Sequence, residues 1–380
     1  MAVPPTHRAK SRVTRRGLIG AASAVAAGAV VTPAVMAATT DSGESTGSSG
    51  SSGAAQGGTT VETFPETRST AATGETPVEA AFPISYVGVR WKDARPTDGG
   101  SIRLRGADGA SGDWKSLNGN GCSEANGGCL LVPADNASGY EVKAPEGATG
   151  LRSVALDTSN GPDRKVDVPS DTTRVRGVAY LPRAAWGADE SKRFKPDGTE
   201  NTPTAYYPFQ TITVHHTATP NHDPDPAATV RAIYELHAIT NDWGDIGYHF
   251  LIDEEGRIYE GRYSGADGIP AHDGEGKLVT AFHVAGFNSG NLGIALLGNL
   301  MEQGPTDAAR TSLTRLVRVL CRYHGLDPQA RLTYTNPITG TQKEVQSISG
   351  HRDWMVTECP GEVMYAELVR VREAVASRRF

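Results

Sequence analysis

Three residues in the C-terminal half of the sequence are of types that could hold a transition metal. His215 closes the alternating run Gln210-Thr211-Ile212-Thr213-Val214, so its side chain leaves the end of a strand where it can face a cleft. Far downstream, His351 and Cys359 stand at the two ends of one loop, Gly350-His351-Arg352-Asp353-Trp354-Met355-Val356-Thr357-Glu358-Cys359-Pro360-Gly361, which could fold both back onto one ion. A hydrolytic zinc site uses three protein ligands drawn from His, Cys and carboxylates, with the fourth position open to water or substrate. By spacing alone, a histidine after a strand also reads as a hydrogen-bonded structural residue. The H-E-x-x-H arrangement is absent, so no Glu is offered as the general base of that type of site.

The elements that would carry these residues are mixed α/β. From Val175 onward, the strand ending at His215 is followed by Asp225-Pro226, an N-cap with proline at the first helical position, which opens a helix through about Ile239. Glu254-Glu255-Gly256 separates two alternating runs as a hairpin turn. Asn291-Leu292-Gly293-Ile294-Ala295-Leu296-Leu297 is an apolar, central strand. After Pro305, Leu313, Leu316, Val317 and Leu320 form the stripe of a helix that stops at Gly325, with Cys321 beside the stripe as a buried free thiol. A closing helix follows Pro360. Period-2 alternation puts His216 on the face of Ile212 and Val214, away from His215.

The rest of the chain divides by composition. With 380 residues, 38% hydrophobic and 21% charged, at least two folded units are expected, and a net charge of −6 without a basic block argues against nucleic acid as a partner. Residues 1–38, with Thr14-Arg15-Arg16-Gly17-Leu18-Ile19-Gly20 before an Ala/Val-rich run, read as a cleaved twin-arginine-type export signal. The expected location is therefore secreted or cell-wall, with no stable membrane anchor after cleavage. Residues 39–79 are Ser-, Gly- and Thr-rich and read as a flexible linker. Residues 80–172 show short alternating runs between turn clusters, expected as a small all-β sandwich of unknown role, in which Trp114 reads as core or as a carbohydrate contact. Cys122 and Cys129, closing a Gly-rich loop, read as a local disulfide in an oxidising compartment.

Six ordered motifs sharpen the reading of residues 175–380. Val214-His215-His216-Thr217-Ala218-Thr219, Trp243-Gly244-Asp245-Ile246-Gly247-Tyr248-His249-Phe250, Glu260-Gly261-Arg262, His283-Val284-Ala285-Gly286-Phe287-Asn288, Leu292 to Asn299 and the loop from His351 to Gly361 occur in this order. The region resembles peptidoglycan recognition proteins and phage-type N-acetylmuramoyl-L-alanine amidases. The resemblance implies a central mixed β-sheet flanked by helices and one Zn²⁺ per chain held by His215, His351 and Cys359. It also implies catalytic roles for Tyr248 and Thr357, substrate-binding positions at His283 and Asn288, and peptidoglycan, a muramyl peptide, as partner. His237, on the helical face of Val230, Ile233 and Tyr234, is expected half-buried at the groove floor with Trp243 lining the groove. The activity implied is hydrolysis of the bond between N-acetylmuramic acid and L-alanine; a binding-only receptor is the alternative, set apart by loss of the cysteine ligand. One departure is the loop 263–277, longer than the pattern, whose His272 and Asp273 read as part of a polar Gly-rich loop rather than a second metal site.

Overall fold

Strand-forming residues alternate through most of the first hundred described positions, and in the computed structural model they form a six-stranded sheet and a two-stranded ribbon. The structure describes residues 58–95, 98–117, 127–170 and 172–377. Residues 1–38, read above as an export signal, residues 39–57 of the segment read as a linker, and Cys122 lie outside them. Strands β2 (Arg68–Thr73), β3 (Val78–Lys92), β4 (Ser101–Arg105), β5 (Lys115–Ser116), β6 (Gly127–Lys143) and β7 (Thr149–Asp157) pair in the order β2-β7-β3-β6-β4-β5. All pairings are antiparallel. A separate ribbon joins β1 (Thr59–Pro65) to β8 (Asp163–Pro169).

Two expectations change here. The chain is already in strands at Thr59, inside the segment read as linker to Glu79, because Thr-, Val- and Phe-containing runs were averaged with their Gly/Ser-rich neighbours. The β segment is also not a sandwich of two facing sheets. One face of its sheet folds over its own core of Val87, Val89, Trp91, Tyr140 and Val142. The other face presents Leu131, Val154 and Leu156 to a helix of the C-terminal part. Trp114 stacks between Arg103 and Lys143, 4.9 and 4.2 Å from its ring centre.

The C-terminal part is built on β12 (Thr211–His216), β13 (Phe250–Ile252), β14 (Ile258–Glu260), β16 (Asn291–Leu296) and β19 (Ile348–Gly350), in the order β14-β13-β16-β12-β19. The β13–β14 hairpin is antiparallel and the other pairs are parallel, a mixed sheet. Short strands complete the chain: β9 (Arg174–Val175), β10 (Val178–Ala179), β11 (Tyr206–Tyr207), β15 (Leu278–Val279), β17 (Arg331–Thr335) and β18 (Gln342–Gln346).

Helix α1 (Pro226–Glu235) is capped by the Asp225 carboxylate, which accepts from the Ala228 amide. Helices α2 (Asp307–His324) and α3 (Glu362–Ala376) cover the sheet face bearing Ile212, Val214, Ile294 and Leu296, through Leu313, Leu316, Val317, Met364 and Leu368. α1 covers the opposite face through Val230, Ile233 and Tyr234, and its outer side meets the N-terminal sheet. The layers therefore run α2/α3, mixed sheet, α1, N-terminal sheet. Among the described residues no helix is long and apolar enough to cross a membrane.

Candidate metal centre

Parallel neighbours that end together bring distant residues to one sheet edge. Val214 lies opposite Gly350 in the β12–β19 register, so His215 and His351 follow as neighbours, with ring centres 4.5 Å apart. The loop after His351 doubles back, with the Arg352 amide donating to the Cys359 carbonyl (3.0 Å). Gly361 ends the loop at φ 93°, where an added Cβ would lie 2.3 Å from the Leu300 carbonyl carbon, so this close approach requires glycine.

The result is a buried cluster of His215, His351 and Cys359 whose ligand atoms all lie within 4.8 Å of one another. Cys359 Sγ is 3.6 Å from His215 Nδ1 and accepts from the His216 amide at 3.4 Å. His216 itself points to the α2/α3 side, where its Nδ1 accepts from the Leu300 amide (3.1 Å).

The tautomer of His215 can be worked out from its partners. His283 Nε2 lies 2.9 Å from the Asn291 carbonyl, which can only accept, so Nε2 carries the proton and Nδ1 is an acceptor. His215 Nε2, 3.0 Å from that Nδ1, is therefore the donor. The lone pair of His215 is left on Nδ1, the atom that faces Cys359. Holding the outer nitrogen of a ligating imidazole in this way fixes ring orientation and raises ligand basicity.

Burial sets the protonation states. It drives His215 well below the ordinary histidine range, with His351 and His283 adding to the effect. It lowers His351 to about 3 and raises Cys359 to about 12. Two neutral imidazoles and a sulfur, desolvated and converging, fit a borderline-soft ion such as zinc and not the oxygen-preferring Mg²⁺ or Ca²⁺. Three protein donors also leave a fourth position for a reactant.

Tyr248 is buried beside this cluster, its ring centre 5.2 Å from that of His215. The segment carrying it is held from below by Asp245. That carboxylate accepts from the Ile246 and Tyr263 amides (2.7 and 2.9 Å) and pairs with the buried Arg183 at 3.0 Å. Thr357 Oγ1 accepts from the Cys359 amide (3.2 Å), which leaves its own O–H as a donor.

Of the expected groove positions, the structure corrects the burial of His237 and gives the others these partners. His283 is buried with both ring nitrogens engaged inside the protein, at His215 Nε2 and at the Asn291 carbonyl. Asn288 Oδ1 accepts from the His283 and Val284 amides (2.9 and 2.7 Å), a loop cap. His237 is fully buried, not half-buried, and its Nδ1 accepts from the Gly247 amide (3.0 Å). Trp243 is half-buried between His237 and Phe282, at ring distances of 4.8 and 6.0 Å. Cys129 is buried with its Sγ near Asn241, and its expected partner Cys122 falls outside the described residues.

In the long loop, His272 donates from Nδ1 to the Pro270 carbonyl and meets His324 of α2, Nε2 to Nε2 at 2.9 Å. Sequence reasoning missed this pairing, the Arg183–Asp245 pair and the Asn291 carbonyl behind His283. Each depends on which segments the fold brings together, and none has a local signal.

Comparison with known proteins places the cluster in context. A family profile described as N-acetylmuramoyl-L-alanine amidase matches residues 205–362. The chain is 30% identical over 214 residues to the N-acetylmuramoyl-L-alanine amidase of Homo sapiens, covering 53% of this chain and 31% of that protein. It is 29% identical over 197 residues to peptidoglycan-recognition protein SC2 of Drosophila melanogaster, covering 51% and 86% respectively. Among solved structures it is similar to the N-acetylmuramoyl-L-alanine amidase LysC from Clostridium intestinale, with 28% identity, a TM-score of 0.33 and coverage of 46% of this chain and 91% of that one. The match thus takes in less than a third of the human relative's own length.

Proposed function

We propose, residues 205–362 being a domain of the N-acetylmuramoyl-L-alanine amidase family, that this protein is a zinc-dependent amidase cleaving the bond between N-acetylmuramic acid and L-alanine in peptidoglycan. The observation that carries the reading is the buried set of His215, His351 and Cys359, with the tautomer of His215 fixed by His283. A zinc ion held there would supply a Lewis acid that polarises the amide carbonyl and makes water a better nucleophile.

The protein's own groups do the rest. His283 keeps the proton of His215 on Nε2 and so keeps Nδ1 available as a ligand atom. Arg183, Asp245 and His237 fix the segment before Tyr248, so that its phenol is held against the cluster without reorganisation. We assign to Tyr248, whose ring lies 5.2 Å from that of His215, and to Thr357, two residues before Cys359, the stabilisation of negative charge developing on the carbonyl oxygen. The substrate lies outside the cytoplasm, and the Arg15-Arg16 motif supports export to it.

The test couples metal analysis to digestion of purified sacculi. One zinc per chain, release of stem peptides, loss of release on chelation and its return with zinc are expected. Cys359→Ser should lose both zinc and hydrolysis while retaining part of its wall binding. Full zinc occupancy without amide cleavage would replace this reading with a binding-only receptor, and absence of zinc would overturn the ligand set.

A further inference from the structure

We infer that the N-terminal β sheet is a positioning element of the active-site groove: it holds both ends of the π-helical turn 236–240 and, through that turn, the Gly247–Tyr248 segment. This rests on the amidase reading above for its consequence in catalysis, but the physical coupling stands on its own observations.

Helix α1 does not end in a cap but runs on into a π-helical turn, Leu236–Thr240. Such a turn inserts a residue into the helical ladder and is intrinsically unfavourable, so something outside it must hold it. The first residue, Leu236, is buried among Leu131, Val154 and Leu156 of the N-terminal sheet. The contact is tight enough that a Cβ on Gly88 of β3 would lie 2.7 Å from Leu236 Cδ1 and 2.8 Å from Val154 Cγ1. The residue closing the turn, Asn241, donates from its side-chain amide to Cys129 Sγ (3.6 Å), and its carbonyl lies 3.5 Å from Arg90 Nη1. The helix leading into the turn is tied to the same sheet, by Tyr86 to Thr229 (2.7 Å) and Ser69 to Glu235 (2.8 Å).

Between its two anchors the turn bonds to the segment that leads to Tyr248. The His237 carbonyl accepts from the Trp243 amide (3.1 Å) and the Ala238 carbonyl from Gly244 (3.2 Å). His237 Nδ1 accepts from the Gly247 amide, and Gly247 has no slack, since a Cβ there would lie 2.5 Å from the Phe282 carbonyl oxygen. Tyr248 is the next residue, its ring 5.6 Å from His237 and 5.2 Å from His215. A displacement of Leu236 therefore reaches the tyrosine through rigid, hydrogen-bonded steps.

The experiment compares the full chain with Gly88→Val, which wedges Leu236 away, and with Val154→Ala, which removes its support without overpacking. Amide hydrogen exchange over residues 236–248, zinc stoichiometry, kcat and KM are measured on each. Protection of 236–248 is expected to fall about tenfold while β12, β16 and β19 keep theirs. Zinc stoichiometry should be unchanged and kcat should fall about tenfold from misplacement of Tyr248. Adding Leu236→Ala to Gly88→Val should restore part of the protection, because the shorter side chain accepts the wedge. If Gly88→Val does not fold, Val154→Ala decides the question alone. Wild-type protection and kcat in the variants, or a loss spread evenly over all strands, would overturn the inference. If the unaltered protein cleaves nothing, the amidase reading falls, and the exchange result still decides whether the sheet holds the turn.

Discussion

The most informative perturbation is at His283, which has no place in the ligand set and yet decides which nitrogen of His215 is available. His283→Phe keeps a ring of similar size and removes the acceptor 3.0 Å from His215 Nε2. His215 then has a buried N–H without its partner, an imbalance worth about 1–3 kcal/mol. It can relieve this by rotating or by moving the proton to Nδ1, and either change removes the lone pair that faces Cys359. The loss should match what removing the outer partner of a ligating histidine costs elsewhere, roughly 10–100-fold in metal affinity, or about 1.4–2.8 kcal/mol. The assay is titration of the apo protein with zinc against a chromophoric chelator at fixed pH, which reads affinity without reference to turnover. Gly293→Ala gives a second route to the same end, since its Cβ would lie 2.6 Å from His283 Cγ and displace the ring without deleting any donor. If both variants fold and bind zinc within about twofold of the parent, the inference from hydrogen-bond geometry to metal affinity fails.

Tyr248→Phe should keep its zinc and its wall binding and lose about 10²–10³ in kcat, the usual cost of removing one oxyanion donor; an unchanged rate in a muropeptide assay would take the phenol out of the chemistry. Arg183→Met leaves the Asp245 carboxylate buried without its cation, and chemical denaturation should show a loss of about 3–5 kcal/mol, whereas a loss below about 1 kcal/mol would mean that the Ile246 and Tyr263 amides suffice. Burial lowers His272 and takes His324 to about 4, so their pair is stabilising only when neutral. That contribution is complete above the ordinary histidine pKa of about 6.5 and is lost as pH falls from there toward 4. Melting curves of His324→Gln should accordingly converge on those of the parent as pH drops through that window, and a gap independent of pH would refute the pairing as the cause.

Legibility followed the range of the interactions. Alternation along β12 separates His215 from His216, and the structure puts Ile212, Val214 and His216 toward α2 and α3 as that period requires. The loop from His351 to Cys359 was visible because both donors lie in one short segment. His283 was visible as a residue but not in its role, because its partners His215 and Asn291 come from two other strands and only the β12–β16 register joins them. The same holds for the N-terminal sheet. Leu131, Val154 and Leu156 are ordinary inward-facing strand residues by pattern, and nothing local tells whether such a face meets a second sheet or a helix. The π-helical turn is silent as well, since the apolar period of α1 simply continues across it.

A cysteine 3.6 Å from a histidine nitrogen is also the outline of a nucleophilic pair, and the electrostatics decide between that role and a ligand. A catalytic thiol needs its pKa lowered by a neighbouring cation, helix N-terminus or proton acceptor. Burial here raises Cys359 to about 12. His215 cannot store the proton, because its own charged form is strongly disfavoured by the same burial and by the adjacent His351 and His283. A thiolate in this position would be relieved only in part, since its burial outweighs the His216 amide and the Arg352 charge. Burial that makes Cys359 a poor nucleophile is compatible with a ligand role, since a cation bound between its sulfur and the two imidazoles would favour ionisation of the thiol.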